Sequence, residues 1–254
     1  MLTVVITRPE PDHLRLLEML ASHSCEVLHV PAFGLAPNAL NDADLRKLEQ
    51  VYDRVIVISP MAARLVVQDH AQARGLASMF ITPGAGSARI LEGLERPVLY
   101  PQHGATSEAM LALPALAEIE GRSVLILTAP GGRTLLNETL KLRGAHVDEL
   151  QLYRRIPLTL SNQQIEGLSA TLPSPHRRVT LMSSQAAFEH LLSQLNDEQA
   201  LRWLQGDFVV SSTRLRDRLQ ARGARRLLVA ASPSDEAMRT ALGSFEMDCD
   251  RNVH

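Results

Sequence analysis

At 254 residues, 45% hydrophobic and 21% charged with a formal net charge of −2, the chain suits one large domain or two of ordinary size. It is too apolar to be disordered, and its near-neutral charge excludes the broad basic surface of a nucleic-acid or anionic-membrane binder. Cys25 and Cys249 are the only cysteines and lie far apart, which excludes a disulfide framework and a cysteine zinc site and fits a reducing cytoplasm.

In chain order, the N-terminal VVIT at 4–7 reads as a strand and lacks the charged start and long apolar core of a signal peptide. A helix around 12–23 follows, with Leu14, Leu17 and Leu20 about one turn apart. A strand near Val27–Val30 leads into a Pro/Asn/Asp-rich stretch from Pro37 to Asp44 that reads as a linker. VIVIS at 55–59 is a continuous apolar run, as expected of a strand covered on both faces, and a helix begins near residue 61. Further strands are predicted at 79–82, 97–100, 123–128 and 146–152. A second linker, from Ile156 to Pro175, precedes strands near 178–183, 207–211 and 226–230. Nearly every strand leads into a helix, so the class is α/β with parallel sheets. No apolar run approaches the ~20 residues that cross a bilayer.

The pieces also repeat. VVIT and CEVLHV (25–30) match VLILT (124–128) and AHVDEL (145–150), and DRVIVISPMAA (53–63) matches RRVTLMSSQAA (177–187). FITPGAGSARIL (80–91) lies opposite FVVSSTRLRDRL (208–219), and SEAM (107–110) opposite DEAM (235–238). The period is roughly 121–128 residues, which implies duplication of a five-stranded, doubly wound unit. Which strands share a sheet stays open at this level.

In such sheets ligands bind beyond the carboxyl ends of the strands, where helix N-termini present free N–H groups. Here those ends carry hydroxyl residues or glycine: Thr7-Arg8, Ser59, Gly84 through Ser87, Ser107, Thr128 through Arg133, Ser183-Ser184, Ser211-Ser212 and Ser232 through Ser234. Each serves equally well as an N-cap. Together they form rims of donors suited to a ligand with several carboxylates. The bias to arginine, with lysine only at Lys47 and Lys141, fits an anionic ligand or merely a GC-rich genome. APGGRT at 129–134 and PGAG at 83–86 match neither the dinucleotide nor the Walker pattern. The nine histidines show no metal-ligand spacing. Tyr153, one of three tyrosines, is either a packing ring or, with a phenol pKa of ~10, a proton donor to a leaving oxygen.

In this order the motifs VVITRP (4–9), ISPMAAR (58–64), G-x-x-S-A (84–88), SEAML (107–111), the block 121–155 with Gly132-Arg133, Gly144 and Tyr153, SSQAA (183–187), S-x-R-L (212–215) and DEAM (235–238) resemble the uroporphyrinogen-III synthase family over nearly the whole chain. Ser87 stands where that family usually has threonine. The resemblance implies two similar doubly wound, flavodoxin-like parallel-sheet domains joined by a two-stranded connector. Domain 1 would be 1–35 plus 172–254, domain 2 would be 40–155, and 36–39 with 156–171 would be the connectors. The site would lie in the cleft between the domains.

The implied reaction is cyclisation of hydroxymethylbilane to uroporphyrinogen III, with loss of water and inversion of ring D, in tetrapyrrole (heme) biosynthesis. By motif match Tyr153 is the acid, and Arg8, Ser59, Gly84, Ser87, Ser107, Arg133, Ser183, Ser184, Ser212 and Ser234 contact the substrate. The resemblance implies no metal, no cofactor, no nucleic acid and no membrane. It implies a cytoplasmic monomer and leaves transient contact with hydroxymethylbilane synthase open. The alternative is a non-catalytic tetrapyrrole- or anion-binding sensor of the same fold.

Overall fold

The structure is a computed structural model that describes residues 2–68, 74–104, 106–130, 134–171 and 176–251, the side chains of 246–251 excepted. Its strands are β1 (Leu2–Ile6), β2 (Cys25–His29), β3 (Phe33–Pro37), β4 (Arg54–Val57), β5 (Phe80–Ile81), β6 (Val98–Leu99), β7 (Ser123–Thr128), β8 (His146–Gln151), β9 (Tyr153–Pro157), β10 (Arg177–Met182), β11 (Asp207–Val210) and β12 (Arg226–Val229). The helices that follow them are α1 (Leu14–Leu20), α2 (Asp42–Glu49), α3 (Pro60–Val67), α4 (Ala85–Leu91), α5 (Ser107–Leu111), α6 (Pro114–Ala117) and α7 (Leu135–Leu142). They continue with α8 (Asn162–Ser169), α9 (Gln185–Leu192), α10 (Asp197–Leu204), α11 (Thr213–Ala221) and α12 (Asp235–Arg251).

The strands form two five-stranded sheets, β12-β11-β10-β1-β2 and β6-β5-β4-β7-β8, and a two-stranded sheet β3-β9. All pairings within the large sheets are parallel, with Val5 opposite Thr180 in one and Ile56 opposite Ile126 in the other. The sequence repeat equates β1 with β7, β2 with β8, and β4, β5, β6 with β10, β11, β12. Applied to the first sheet, those equivalences give the order of the second. Both sheets are therefore doubly wound, and each has one central pair at which the winding reverses: β1/β10 and β4/β7.

The chain divides into two compact units, Met1–Gly34 with Ile156–His254, and Leu35–Arg155. Unit 1 takes two strands from the first half of the repeat and three from the second, and unit 2 takes the converse. The β3-β9 ladder, bracketed by Leu158 N–H to Ala32 O and Asn38 N–H to Leu152 O, lies where the chain leaves one unit and later returns.

Alternation along the strands builds the cores. In β1, Val4 and Ile6 face one apolar cluster with Leu16, Leu20 and Leu242, while Val5 faces the other with Phe188, Trp203 and Phe208. In β4, Val55 and Val57 pack with Phe80 and Leu127 on one face, and Ile56 with Ile81 and Leu136 on the other. Both-face burial explains why these strands read as unbroken apolar runs. The one polar residue at the centre of β10, Thr180, accepts a hydrogen bond from the indole N–H of buried Trp203 at 3.1 Å.

The stretches that read as linkers hold more structure than their composition announces. Residues 36–44 complete β3 and open α2, whose Asn41 and Asp44 form a reciprocal capping box. Residues 156–171 finish β9 and hold α8, capped by Ser161 and Gln164 in the same way. One arginine holds two helix C-termini. Buried Arg178 donates to the carbonyls of Gly167 and Ala170 at the end of α8 and of Arg202 in the last turn of α10. Burial lowers its pKa to about 10, and it stays charged at neutral pH against the negative helix ends. After α7 the chain turns at Gly144 (φ +82), with Ala145 N–H reaching back to Leu140 O. A side chain there would strain the left-handed backbone.

Candidate functional site

Unit 2 presents its rim where β4 and β7 end. Ser59 follows β4 in extended backbone with Pro60 at the first helical position, and its Oγ accepts the Ala62 N–H of α3 at 3.1 Å. The same oxygen receives the Tyr153 hydroxyl at 2.9 Å. Tyr153 begins β9, and its ring, 4% exposed, packs among Val57, Ala62, Leu127 and Leu152. The apolar packing thus fixes the ring, and one hydrogen bond aims its phenol at the carboxyl end of the central strand. Gly84 caps α4 through its backbone, and its carbonyl accepts the Thr82 hydroxyl at 3.0 Å.

Two expected residues on this rim stand differently. Ser87 is 3% exposed inside α4, so its hydroxyl is not offered to a ligand. The repeat of small residues in AGSARIL turns this face of the short helix into the core. Ser107 is the first helical residue of α5, and the cap is Thr106, whose hydroxyl accepts the Ala109 N–H at 3.2 Å. Arg133, with Gly131 and Gly132, lies outside the described residues.

Unit 1 presents three serine-capped helices at the equivalent ends of its strands. Ser184 caps α9 by accepting the Ala187 N–H at 3.3 Å, and Ser212 caps α11 by accepting the Leu215 N–H at 3.3 Å. Ser234 accepts the Ala237 N–H of α12 at 3.2 Å. Ser183, the last residue before the Ser184 cap, accepts the Ser211 hydroxyl at its carbonyl, 3.1 Å away, which ties the ends of β10 and β11 together. Each cap leaves further first-turn N–H groups unpaired along its helix axis, pointing where an anion would bind.

Arg8 lies on this rim just after β1, and its guanidinium is already engaged. It donates to the Asp235 carboxylate and to the carbonyl of Pro233. Burial raises the Asp235 carboxyl from its ordinary value, and the Arg8 charge opposes that shift. Arg8 therefore fastens the 232–235 loop to the end of β1. Asp235 opens the repeat match DEAM, where the other copy has Ser107 in SEAM. That acid in place of a hydroxyl is the one signal of the pairing that the sequence offers.

The fold also brings together Glu10, His13 and His29, which the spacing of the histidines does not reveal. Their potential ligand atoms lie within 4.8 Å of one another, the one group of this kind among the described residues. The two imidazoles are stacked, however, with centroids 3.8 Å apart and 9° between planes. The in-plane lone pairs of the two rings lie in nearly parallel planes a ring-stacking distance apart, so both rings cannot aim at one ion as tetrahedral ligation requires. The arrangement is a stack, not a preformed metal centre.

Comparison with known proteins follows the same outline. A family model described as uroporphyrinogen-III synthase HemD matches residues 15–239. The uroporphyrinogen-III synthase of Proteus mirabilis is 32% identical over 61% of this chain and 81% of its own length. That of Escherichia coli K12 is 25% identical over 95% of this chain and 100% of its own. Among solved structures, a mutant uroporphyrinogen III synthase of Thermus thermophilus superposes with a TM-score of 0.60 at 18% identity, covering 99% of this chain and 100% of that one. A second, from Helicobacter pylori 26695, gives 0.62 at 13% identity over 96% and 100%. At these identities the two structures speak for the fold alone.

Proposed function

The chain belongs to the uroporphyrinogen-III synthase family, and from that premise we propose how its own residues carry the reaction. The activity is that of a lyase of heme biosynthesis, uroporphyrinogen-III synthase. Its substrate, hydroxymethylbilane, loses the hydroxyl of its hydroxymethyl group as water, leaving an electrophilic azafulvene. The substituted α-carbon of ring D attacks it, a spiro intermediate rearranges, and the macrocycle closes with ring D inverted. Without guidance the unsubstituted carbon attacks instead and the type I isomer results. The enzyme's contribution is orientation together with support for developing charge.

Tyr153 is the acid of this scheme. Its phenol gives a proton to the departing hydroxyl, and the proton lost from the unsubstituted α-carbon of ring D, when that carbon closes the macrocycle after the spiro intermediate has opened, restores it, so the cycle closes without another reagent. The observation that carries the assignment is the bond to Ser59 at 2.9 Å, which holds the phenol at the reversal point of the unit 2 sheet.

The substrate's carboxylates are received by the capped helix N-termini. In unit 2 these are the α3 start at Ser59 and the backbone at Gly84, with Ser107 beside Thr106 and Arg133 as further receptors. In unit 1 they are the starts of α9, α11 and α12 at Ser183, Ser184, Ser212 and Ser234. Arg8 contributes by holding the Ser234 loop in place. No helix among the described residues is long and apolar enough to cross a membrane.

Fresh hydroxymethylbilane, followed by oxidation and chromatographic separation of the isomers, tests the whole reading. A type III excess that scales with added protein is the expected result. Type I alone, at the rate of the buffer control, overturns it.

A further inference from the structure

The stacked histidines lie on the unit 1 rim and touch a residue assigned above to that rim. His29 ends β2, directly opposite Ile6 in the parallel ladder with β1. Its Nε2 lies 2.8 Å from the backbone carbonyl of Arg8. A carbonyl only accepts, so Nε2 carries the proton and the tautomer is fixed by its partner. The His29 carbonyl accepts the Gln164 side-chain amide of α8 at 3.1 Å, and the ring lies flat against His13, which is 7% exposed. Backbone, ring face and ring N–H are thus all held.

What that held N–H grips is the residue whose guanidinium binds Asp235 and Pro233. The chain of contacts runs from the His13–His29 stack to the Arg8 carbonyl, through Arg8 to the first residue of α12, and on to the loop that carries Ser234. Arg8 leaves β1 without a strand partner beyond Ile6, so nothing in the ladder itself fixes its carbonyl. The bond from His29 supplies that constraint.

We infer that His29 is a positioning residue for substrate binding, setting the Arg8 backbone so that Arg8 holds the 232–235 loop and the start of α12 ready for a substrate carboxylate. The inference rests on the reading of this rim as a substrate receptor. His29 acts on binding and not on the bond-breaking step, because its contact with this rim runs through the Arg8 backbone.

Three variants of the whole chain test this by steady-state kinetics of type III formation: His29→Leu, His29→Gln and Asp235→Asn. Glutamine places an amide N–H at the reach of Nε2, and leucine does not. KM is expected to rise about five- to tenfold in His29→Leu with kcat within about twofold of the parent, and to return within about twofold of the parent in His29→Gln. Asp235→Asn, which cuts the same chain of contacts further along, is expected to raise KM similarly, and the double variant with His29→Leu to add little more. Equal KM increases in the leucine and glutamine variants overturn the inference, as does a loss confined to kcat or an unchanged KM in a folded His29→Leu. Should His29→Leu not fold, the glutamine and asparagine variants decide it: parental KM in Asp235→Asn, or a raised KM in His29→Gln, overturns it. Turnover by the parent chain is measured first, so a failure of the synthase reading shows there and a failure of this inference shows only in the variants.

Discussion

At the end of β4, Ser59 caps its helix and receives a buried tyrosine. At the end of β10, the strand that the repeat equates with β4, the matching residue is Ser183, and the cap has moved one position on to Ser184. Pro60 explains the shift, because it fixes the first helical position after Ser59 and has no counterpart in the second copy. Unit 2 thereby holds a tyrosine hydroxyl at the reversal point of its sheet. Unit 1 instead gathers three serine-capped helices, an arginine clamp and a pair of stacked imidazoles. On the proposed reading, two copies of one winding have taken up different tasks, chemistry in one and grip in the other. The change needed only a few side chains at strand ends, since the cores are equivalent.

The equivalence of the cores is open to the harshest test. Phe80 and Phe208 occupy matching strands, β5 and β11, and both are fully buried. Phe80→Ala and Phe208→Ala are each expected to remove about 3–5 kcal/mol from their own unit, measured by hydrogen exchange resolved along the chain. A large loss in one and almost none in the other would break the likeness.

Next in size is the division of labour. Tyr153→Phe keeps the ring in its apolar setting and is expected to lower kcat for type III formation by about 100-fold, within the usual range for a general acid. Retention of full activity would remove the phenol from the mechanism. Serine caps sharpen the contrast further. Ser59→Ala and Ser212→Ala each remove one N–H acceptor and are expected to cost about 1 kcal/mol of stability in denaturant melts. Only Ser59→Ala is expected to lower kcat as well, several-fold, because it alone releases Tyr153.

The smallest effect is the response to acid. Burial chiefly, and the neighbouring His29 charge, lower the His13 pKa from its ordinary 6.5. The unfolded chain then takes up that proton before the folded one, so His13 favours the folded state above about pH 6.5 and the advantage fades as pH falls below it. In unit 2, hydrogen bonds from Ser123 lower the Asp53 carboxyl from 3.8, with Arg122 assisting, and its contribution fades only as pH falls below about 4. Stability followed by exchange between about pH 7 and 5 is expected to decline in unit 1 before unit 2, and His13→Gln to flatten the unit 1 curve. Parallel decline in both would argue that the stack has no titrating role.

Much of this architecture is legible in the sequence. The apolar runs locate ten strands because central parallel strands are buried on both faces, and the internal repeat carries the order of one sheet onto the other. The short ladder β3-β9 and the helices α2 and α8 read as linkers because prolines and polar residues dominate there. Their capping boxes, Asn41 with Asp44 and Ser161 with Gln164, are the quieter signal that helices begin. At the site, hydroxyls at strand ends are legible as helix caps, but their burial is not. Ser87 faces inward because of the turn its helix makes, and Ser107 yields to Thr106 because the strand-to-helix loop ends one residue sooner. The Arg8–Asp235 pair and the His13–His29 stack join residues from separate elements, and no local pattern encodes such meetings.

The discontinuous make-up of unit 1 bears on how the chain is made. Unit 2 is a single stretch, Leu35–Arg155, whose five-stranded sheet is complete as soon as that stretch has left the ribosome. The central pair of unit 1 joins β1 to β10, and roughly 170 residues must be synthesised between them, about ten seconds or more at typical translation rates. During that interval Val4, Val5 and Ile6 have no partner strand on the β10 side. Nascent chains arrested just after residue 155 are expected to hold a protease-resistant unit 2 and an unprotected N-terminal strand, which makes β1 the segment most in need of a chaperone's cover.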